Sequence, residues 1–139
     1  MEQTKNLNLK RWAPEDFVRL TQINQNFDKI DEAAATVPRI AYGSYTGTGK
    51  YGKSNPNRLD FAESLGKTPQ FIVVMEIQGN YQLILIRGMT QQVCFYPPEG
   101  NERSCPLTWS STGVSWYNES NAGRQLNNGG KEYFYFAIG

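Results

Sequence analysis

The sequence predicts a mainly β protein, in which an N-terminal α-helix forms a short coiled-coil stalk and precedes an antiparallel β-sandwich-like domain. Before Pro38, apolar residues recur at the spacing of a helix. After it, short runs rich in β-branched and aromatic residues are separated by Gly, Pro and Asn, and no helical segment alternates with them. We therefore predict an extended leader over residues 1–13, the stalk helix over 14–37 and the β-domain over 38–139.

The leader is polar up to Trp12 and lacks the apolar stretch of a secretion signal, so we predict no conventional secretion signal and synthesis in the cytoplasm. Pro14 suits the first turn of a helix, and Glu15 and Asp16 would lie near the positive end of its dipole. The helical pattern continues to about Ala35. Pro38 ends it, because proline disfavours helical geometry in the residue before it.

The apolar positions of this helix form a heptad seam with 3-4-3-4-3 spacing: Leu20, Ile23, Phe27, Ile30, Ala34 and Val37. Isoleucine at the d positions favours three or more strands over two, so Leu20, Ile23, Phe27 and Ile30 are the predicted contacts of a homotrimer. So short a seam needs an attached domain to hold the copies together. The alternative is an amphipathic helix packed on its own β-domain, and the segment alone favours neither.

Seven short segments are typical of strands, and turn residues separate them. Gly79-Asn80 matches a two-residue hairpin turn, and Asn128-Gly129-Gly130 leads into the last strand. The predicted strands are Arg39–Thr46, Phe71–Gln78, Tyr81–Arg87, Gln92–Tyr96, Leu107–Ser111, Val114–Tyr117 and Lys131–Ile138.

Two of these strands are apolar on both faces, Phe71–Met75 and Tyr133–Ile138. The outer face of an antiparallel sheet is normally polar. One face would be covered inside the sandwich, and a neighbouring subunit would cover the other. This pattern agrees with the heptad seam in favouring an oligomer.

The net charge of +1 and the absence of a basic stripe argue against nucleic acid as a partner, and no apolar run is long enough for insertion into a membrane. Cys94 and Cys105 form either a disulfide or two free thiols. Without histidine or a CxxC pair, we predict no metal site and no cofactor.

The same lack of histidine excludes Ser-His-Asp and Cys-His catalysis. The segment Gly43–Lys50 resembles a phosphate-binding loop superficially, but its spacing is one residue too long and Tyr51 replaces the required Ser or Thr. We interpret it as a glycine-rich turn or bulge next to a strand. The closest acidic pairs, Asp60 with Glu63 and Glu99 with Glu102, suit solvated surface charge, so we predict no catalytic residue and no enzyme. A cell-wall glycosidase would require acidic residues to converge in a cleft, from among Asp60, Glu63, Glu119 and Glu132.

A cluster of aromatic and polar residues is the candidate ligand-binding feature. Aromatic faces stack on sugar rings, and amides and carboxylates hydrogen-bond to hydroxyl groups, although the same composition suits a protein partner. The alternative for the two tryptophans is that both point into the core from adjacent strands. The candidate residues are Trp109, Trp116, Tyr117, Asn118, Glu119, Asn121 and Arg124.

Two stretches of the chain resemble bacteriophage proteins. The N-terminal pattern of Asn6–Leu9, Trp12, Asp16-Phe17 and Asn24–Asp31 looks like the start of tail and minor structural proteins of phages from Gram-positive hosts, in which a leader with a tryptophan precedes an N-x-N-F-x-K-I-D helix. Three later segments resemble the C-terminal domains of tail-fibre-like proteins: Gly43–Gly49, Thr68–Val74 and Leu126–Gly139.

The resemblance implies a component on the surface of a virion or phage-like particle, often a trimer, with the N-terminus toward the particle and the β-domain outward. Trp12 would then dock to other virion proteins, and the β-domain would bind a glycan of the host cell surface. Typical fibres have longer shafts than this chain. A purely structural head fibre, capsid decoration or baseplate component that binds only particle proteins is therefore the alternative.

Overall fold

The computed structural model describes residues 2–78, 81–93 and 104–139. The chain divides into two compact units, Met1–Pro38 and Arg39–Gly139. The described residues are mainly β, with antiparallel strand pairs and one helix, which confirms the coarse fold prediction.

In the N-terminal unit, the leader folds back on itself as a β-hairpin rather than running as a single extended segment. Strands β1 (Glu2–Gln3) and β2 (Lys10–Arg11) pair antiparallel. The backbone N–H of Lys10 donates to Oδ1 of Asn26 at 2.9 Å, and Nδ2 of Asn26 donates back to the carbonyl of Lys10 at 3.0 Å. The side-chain amide of the helical residue Asn26 thus bonds both backbone groups of Lys10 and ties the hairpin to the helix.

Helix α1 (Leu20–Thr36) begins six residues later than the sequence predicted. Asp16 closes a turn instead, because its Oδ2 accepts the N–H of Ala13 at 2.8 Å and its own N–H donates to the Ala13 carbonyl at 3.0 Å. The helix ends as predicted before Pro38, with Val37 in an extended conformation. Within the described residues, no helix is both long enough and apolar enough to cross a membrane.

The β unit contains two antiparallel sheets. The first sheet has the strand order β3-β10-β5-β6 and the second the order β4-β9-β8-β7. The strands are β3 (Ile40–Thr46), β4 (Asn57–Asp60), β5 (Phe71–Glu76), β6 (Gln82–Ile86), β7 (Gln91–Val93), β8 (Ser104–Trp109), β9 (Gly113–Trp116) and β10 (Glu132–Ile138).

Side chains from both sheets form a single apolar core. Ile72 and Val74 come from the first sheet, and Leu107 and Val114 from the second. The other buried apolar members are Ala41, Leu59, Phe61, Leu65, Leu83, Leu85, Cys105, Trp116, Leu126, Tyr133 and Ala137. The rings of Tyr45 and Tyr133 stack beside this core with centroids 5.2 Å apart.

The predicted strands differ from the observed ones in three places. The sequence analysis did not predict β4, in which Leu59 is the one buried residue of four. Strand β8 begins at Ser104 rather than Leu107. Strand β7 covers Gln91–Val93, and the rest of the predicted segment, like the Gly79-Asn80 turn, lies outside the described residues.

The first sheet is apolar on both faces, as predicted for its two central strands. Three cross-strand rows form its outer face, and all their members except Ser44 and Gln82 are apolar. Tyr42 is 81 % exposed and Phe136 is 39 % exposed. The rows are Ile40, Ile138, Phe71 and Ile86; Tyr42, Phe136, Val73 and Ile84; and Ser44, Phe134, Met75 and Gln82.

Candidate functional site

The two tryptophans of the predicted binding cluster have different environments. Trp116 is 1 % exposed, and its Nε1 donates to the carbonyl of Gln125 at 2.8 Å, so it is a core residue. Trp109 is half-buried against the core. Its Nε1 donates to the Met89 carbonyl at 2.9 Å, and the guanidinium carbon of Arg87 lies 4.8 Å from its ring centroid.

The loop from Tyr117 to Arg124 is less exposed than the sequence suggested. Asn118 is fully buried, and its Oδ1 accepts the backbone N–H of Ser120 at 2.9 Å. Tyr117 and Arg124 are half-buried, whereas Glu119 and Asn121 are exposed. Asn118 therefore shapes this loop from inside.

A buried glutamine that the sequence analysis missed joins this loop to the segment before β4. Gln125 is fully buried, and its Oε1 accepts the N–H of Gly52 at 3.0 Å and that of Asn118 at 2.9 Å. Its Nε2 donates to the Asn55 carbonyl at 2.6 Å and to Oδ1 of Asn57 at 3.3 Å. No local pattern marks such a residue, because its partners lie up to 73 residues away in the sequence.

A polar cleft of about 320 Å³ lies where β3 and β4, edge strands of different sheets, come together. Nδ2 of Asn57 bridges the two strands, since it donates to the hydroxyl of Tyr45 at 3.3 Å. We call this the first cleft. Its lining residues are Tyr45, Thr46, Thr48, Lys50, Asn55, Pro56, Asn57, Arg58, Trp116 and Asn127.

A second cleft, also of about 320 Å³, lies on the outer face of the second sheet. Pro56 and Arg58 line both clefts. Of these two shared residues, Arg58 is the charged one. The remaining lining residues of the second cleft are Thr108, Trp109, Ser110, Val114 and Ser115.

Asn127 fixes the wall of the first cleft near Lys50. Its Oδ1 accepts the N–H of Thr48 at 2.9 Å, and its Nδ2 donates to Oγ1 of Thr48 at 2.9 Å and to the Lys50 carbonyl at 2.7 Å. The three bonds join residues that lie 77 or 79 positions apart in the sequence. Hydrogen bonds within the protein thus hold the segment from Thr48 to Lys50 in place.

Leu126 has a left-handed backbone, with φ of 58°, although it is not a glycine and its side chain is fully buried. A non-glycine residue in this region is strained, on the order of 1 kcal/mol. In this conformation the Leu126 carbonyl accepts two hydrogen bonds, from the Tyr45 hydroxyl at 2.7 Å and from Nδ2 of Asn57 at 3.2 Å. Backbone strain of this kind is found at functional sites.

The glycine-rich segment has two parts: residues 43–46 belong to strand β3, and residues 47–50 form a loop that packs on another loop. The N–H of Gly47 donates to the Lys131 carbonyl at 2.7 Å, and that of Gly49 donates to the Asn127 carbonyl at 2.7 Å. Gly49 has φ of 79°, which favours glycine. These N–H groups are therefore bonded within the protein.

The acidic residues that the sequence analysis considered for catalysis differ in their hydrogen bonds and in their exposure. Asp60 accepts the N–H of Ala62 at 2.9 Å and the hydroxyl of Thr112 at 3.2 Å. Glu63, Glu119 and Glu132 are exposed, and Glu99 and Glu102 lie outside the described residues. Within the described residues, no group of three or more His, Cys, Asp and Glu side chains could hold a metal.

Glu76 is the buried carboxylate of the β unit, with 2 % exposure. It accepts a hydrogen bond from Nζ of Lys131, which raises the pKa of that ammonium group above its ordinary value. Its other oxygen, Oε2, has no hydrogen-bond partner within the described part of the chain. The pair joins β5 to the start of β10.

Cys105 is buried, and its thiol donates to the carbonyl of Arg124 at 3.3 Å. Burial raises the pKa of this thiol to about 11, against a smaller lowering by the hydrogen bond from Asn118. Cys105 is a free cysteine in this structure, and Cys94 lies outside the described residues.

The chain matches no protein-family model, no curated protein and no solved structure.

Proposed function

We propose that this protein is a short trimeric appendage of a bacteriophage or phage-like particle, with α1 as its stalk and a sandwich-like β-domain that binds a glycan on the host cell surface. The observation that carries the proposal is the amount of ordered apolar surface that one chain leaves exposed in both of its units. Surface of this kind, at regular spacing, marks an interaction site. The sequence resemblance to phage tail proteins supplies the class of particle.

In the N-terminal unit, most of the heptad seam is exposed, and Ile23 is half-buried. Leu20 is 72 % exposed, Phe27 is 60 % and Ile30 is 41 %, and none of the described α1 side chains is buried. Burying such a side chain stabilises by about 1.5–3 kcal/mol. Three parallel copies of α1 would bury these residues against one another, with Ile23 and Ile30 at the positions that favour a trimer.

In the β unit, the outer face of the first sheet gives the second apolar surface. Its three rows continue across all the strands of that sheet, so a flat partner surface of the same chemistry would cover them together. A second copy of the chain presents such a surface. The seam and this face therefore support the same assembly from two separate units.

The leader hairpin is proposed to dock the trimer to other virion proteins through Trp12. Trp12 is half-buried, and its Nε1 donates to Oε1 of Gln22 at 3.3 Å, so the indole is held beside α1 with part of its surface accessible. Deletion of residues 1–13 is expected to abolish incorporation into particles and leave the β unit folded. Normal incorporation of the deleted protein would contradict the docking assignment.

The β-domain is the proposed host-binding part. The isolated fragment 39–139, which contains the whole apolar core, is expected to bind host cells or purified cell-wall glycans. A fluorescent fragment and flow cytometry would measure this binding, with the urea-unfolded fragment as a control. Absence of binding by both the fragment and the full chain would contradict the proposed function.

A purely structural appendage is the second candidate. It is favoured by the burial of Trp116 and Asn118, which removes two residues of the predicted sugar-binding cluster, and by the apolar outer face of the first sheet, which suits proteins better than sugars. Retention of fragment 39–139 on purified particles but not on host cells would support this candidate.

A further inference from the structure

We propose that the first and second clefts form one binding site for a sugar that carries an anionic group, with Arg58 binding the anion at their junction. This inference rests on the proposed function and deepens it, because it names the site and the ligand class. The predicted cluster over Trp109–Arg124 points to the loop after β9, whereas the site inferred here is centred on β4, a strand that the sequence pattern missed.

The position of Arg58 follows from strand register. Leu59 points into the core, so its neighbour Arg58 points outward and is exposed. Arg58 pairs with Ser115 of β9, which pairs with Thr108 of β8. These three residues form a polar row across the outer face of the second sheet, with the first cleft at its edge and the second cleft beside it.

Charge selects the ligand class. The two clefts together contain Lys50 and Arg58, and among the described residues that line them none is acidic. Within the described part of the chain, neither cation makes a side-chain hydrogen bond or an ion pair with the protein. The planar guanidinium of Arg58 can bind a carboxylate or phosphate with two parallel hydrogen bonds.

The remaining lining groups suit a sugar. Hydroxyl groups of Thr48, Thr108 and Ser115 can donate to or accept from sugar hydroxyls. Trp109 also lines the second cleft, although its side chain packs against the core on the same face as its cross-strand partner Val114. Each cleft, at about 320 Å³, falls at the lower end of small-molecule sites and exceeds what a bare anion fills.

The site is built in advance of binding. Asn127 fixes the Thr48–Lys50 segment, and Asn57 is bonded to the Tyr45 hydroxyl and to the carbonyl of the strained residue Leu126. Such preorganisation reduces the entropy lost when a ligand binds. It also explains why buried amides gather behind an otherwise exposed surface.

Saturation-transfer difference NMR on the full chain tests the site with glucose 6-phosphate, glucuronic acid, glucose and inorganic phosphate. We expect both charged sugars to bind, with at least about fivefold higher affinity than glucose. Inorganic phosphate is expected to displace them only at higher concentration. Three results would overturn the proposal: glucose binds as tightly as the charged sugars, none of the sugars binds, or phosphate displaces them at the concentration of the sugar itself.

Three variants that each remove one positive charge test whether the anionic sugar binds in the clefts. Arg58→Gln is expected to lower the affinity for glucose 6-phosphate at least about tenfold and Lys50→Gln about threefold. Lys53→Gln removes the same charge from an exposed residue outside the cleft lining and should bind like the wild type. Unchanged affinity of folded Arg58→Gln and Lys50→Gln, or an equal loss in Lys53→Gln, would overturn the assignment.

Host-cell binding separates failure of this site from failure of the proposed function. Cells bound equally by the wild type and by Arg58→Gln would leave host binding intact and reject the clefts as its site. Reduced cell binding by Arg58→Gln, with Lys53→Gln unchanged, would support both.

Discussion

The two sheets of the β unit share a core but differ in the face that each presents outward. The row of Tyr42, Phe136, Val73 and Ile84 crosses the outer face of the first sheet, whereas the row of Arg58, Ser115 and Thr108 crosses that of the second. The second face is compatible with water as it stands. The first is not, because a large ordered apolar surface favours association. Under the proposed function, assembly and ligand binding would therefore use opposite sheets.

The largest expected effect concerns the inner face of the second sheet. Trp116→Ala should lower the free energy of unfolding by about 3–5 kcal/mol, because it leaves a large cavity in the core. Trp109→Ala should lower it by about 1–2 kcal/mol, because this side chain is half-exposed. Urea unfolding followed by circular dichroism measures both. Equal losses would mean that Trp109 contributes as much to the core as Trp116 does.

The second prediction compares the outer faces directly. Phe136→Asp should weaken trimer formation by about 2–3 kcal/mol per subunit, because it would bury a carboxylate in an apolar contact. Ser115→Asp places the same charge on the outer face of the second sheet and should leave the trimer intact.

Light scattering coupled to size exclusion measures the mass of both variants, of the wild type and of fragment 39–139. A trimer only when residues 1–38 are present would assign assembly to α1 and contradict a role for the first sheet. A wild type that is monomeric at tens of micromolar would contradict the trimer altogether.

The smallest expected effect is a pH dependence from Cys105. In the unfolded chain the thiol ionises near pH 9.0, whereas in the folded protein its pKa is about 11. Between these values ionisation stabilises only the unfolded state, so stability should fall as pH rises, by about 1 kcal/mol per pH unit. Below that window the thiol contributes no pH dependence.

The difference between wild type and Cys105→Ala in urea unfolding, measured at several pH values, isolates this contribution from other titrating groups. Parallel stability profiles of the two proteins through the window would show that Cys105 is not protected as described.

The sequence predicted the elements whose side chains alternate or repeat clearly. Strands β3, β5, β6, β9 and β10 agree with prediction to within two residues at each end, because each lies in a run with β-branched or aromatic residues that turn residues bound. The end of α1 was also predictable, since Pro38 fixes it locally.

The elements that prediction missed depend on distant partners. The two-residue strands of the leader have no pattern of their own, and Asn26 holds them from 16 residues away. Strand β4 has one buried residue, so its run shows no alternation. The clefts were missed for the same reason, because Asn57, Gln125 and Asn127 acquire their roles through bonds that span 68 to 79 residues.

The strand order of the first sheet has a consequence for how the chain folds. β10 pairs with both β3 and β5, so the strand that completes this sheet is synthesised after all the others of the β unit. Pairings so distant in sequence are slow to form. Until β10 is available, the backbone edges of β3 and β5 that pair with it stay unpaired, and unpaired strand edges are prone to aggregation during synthesis.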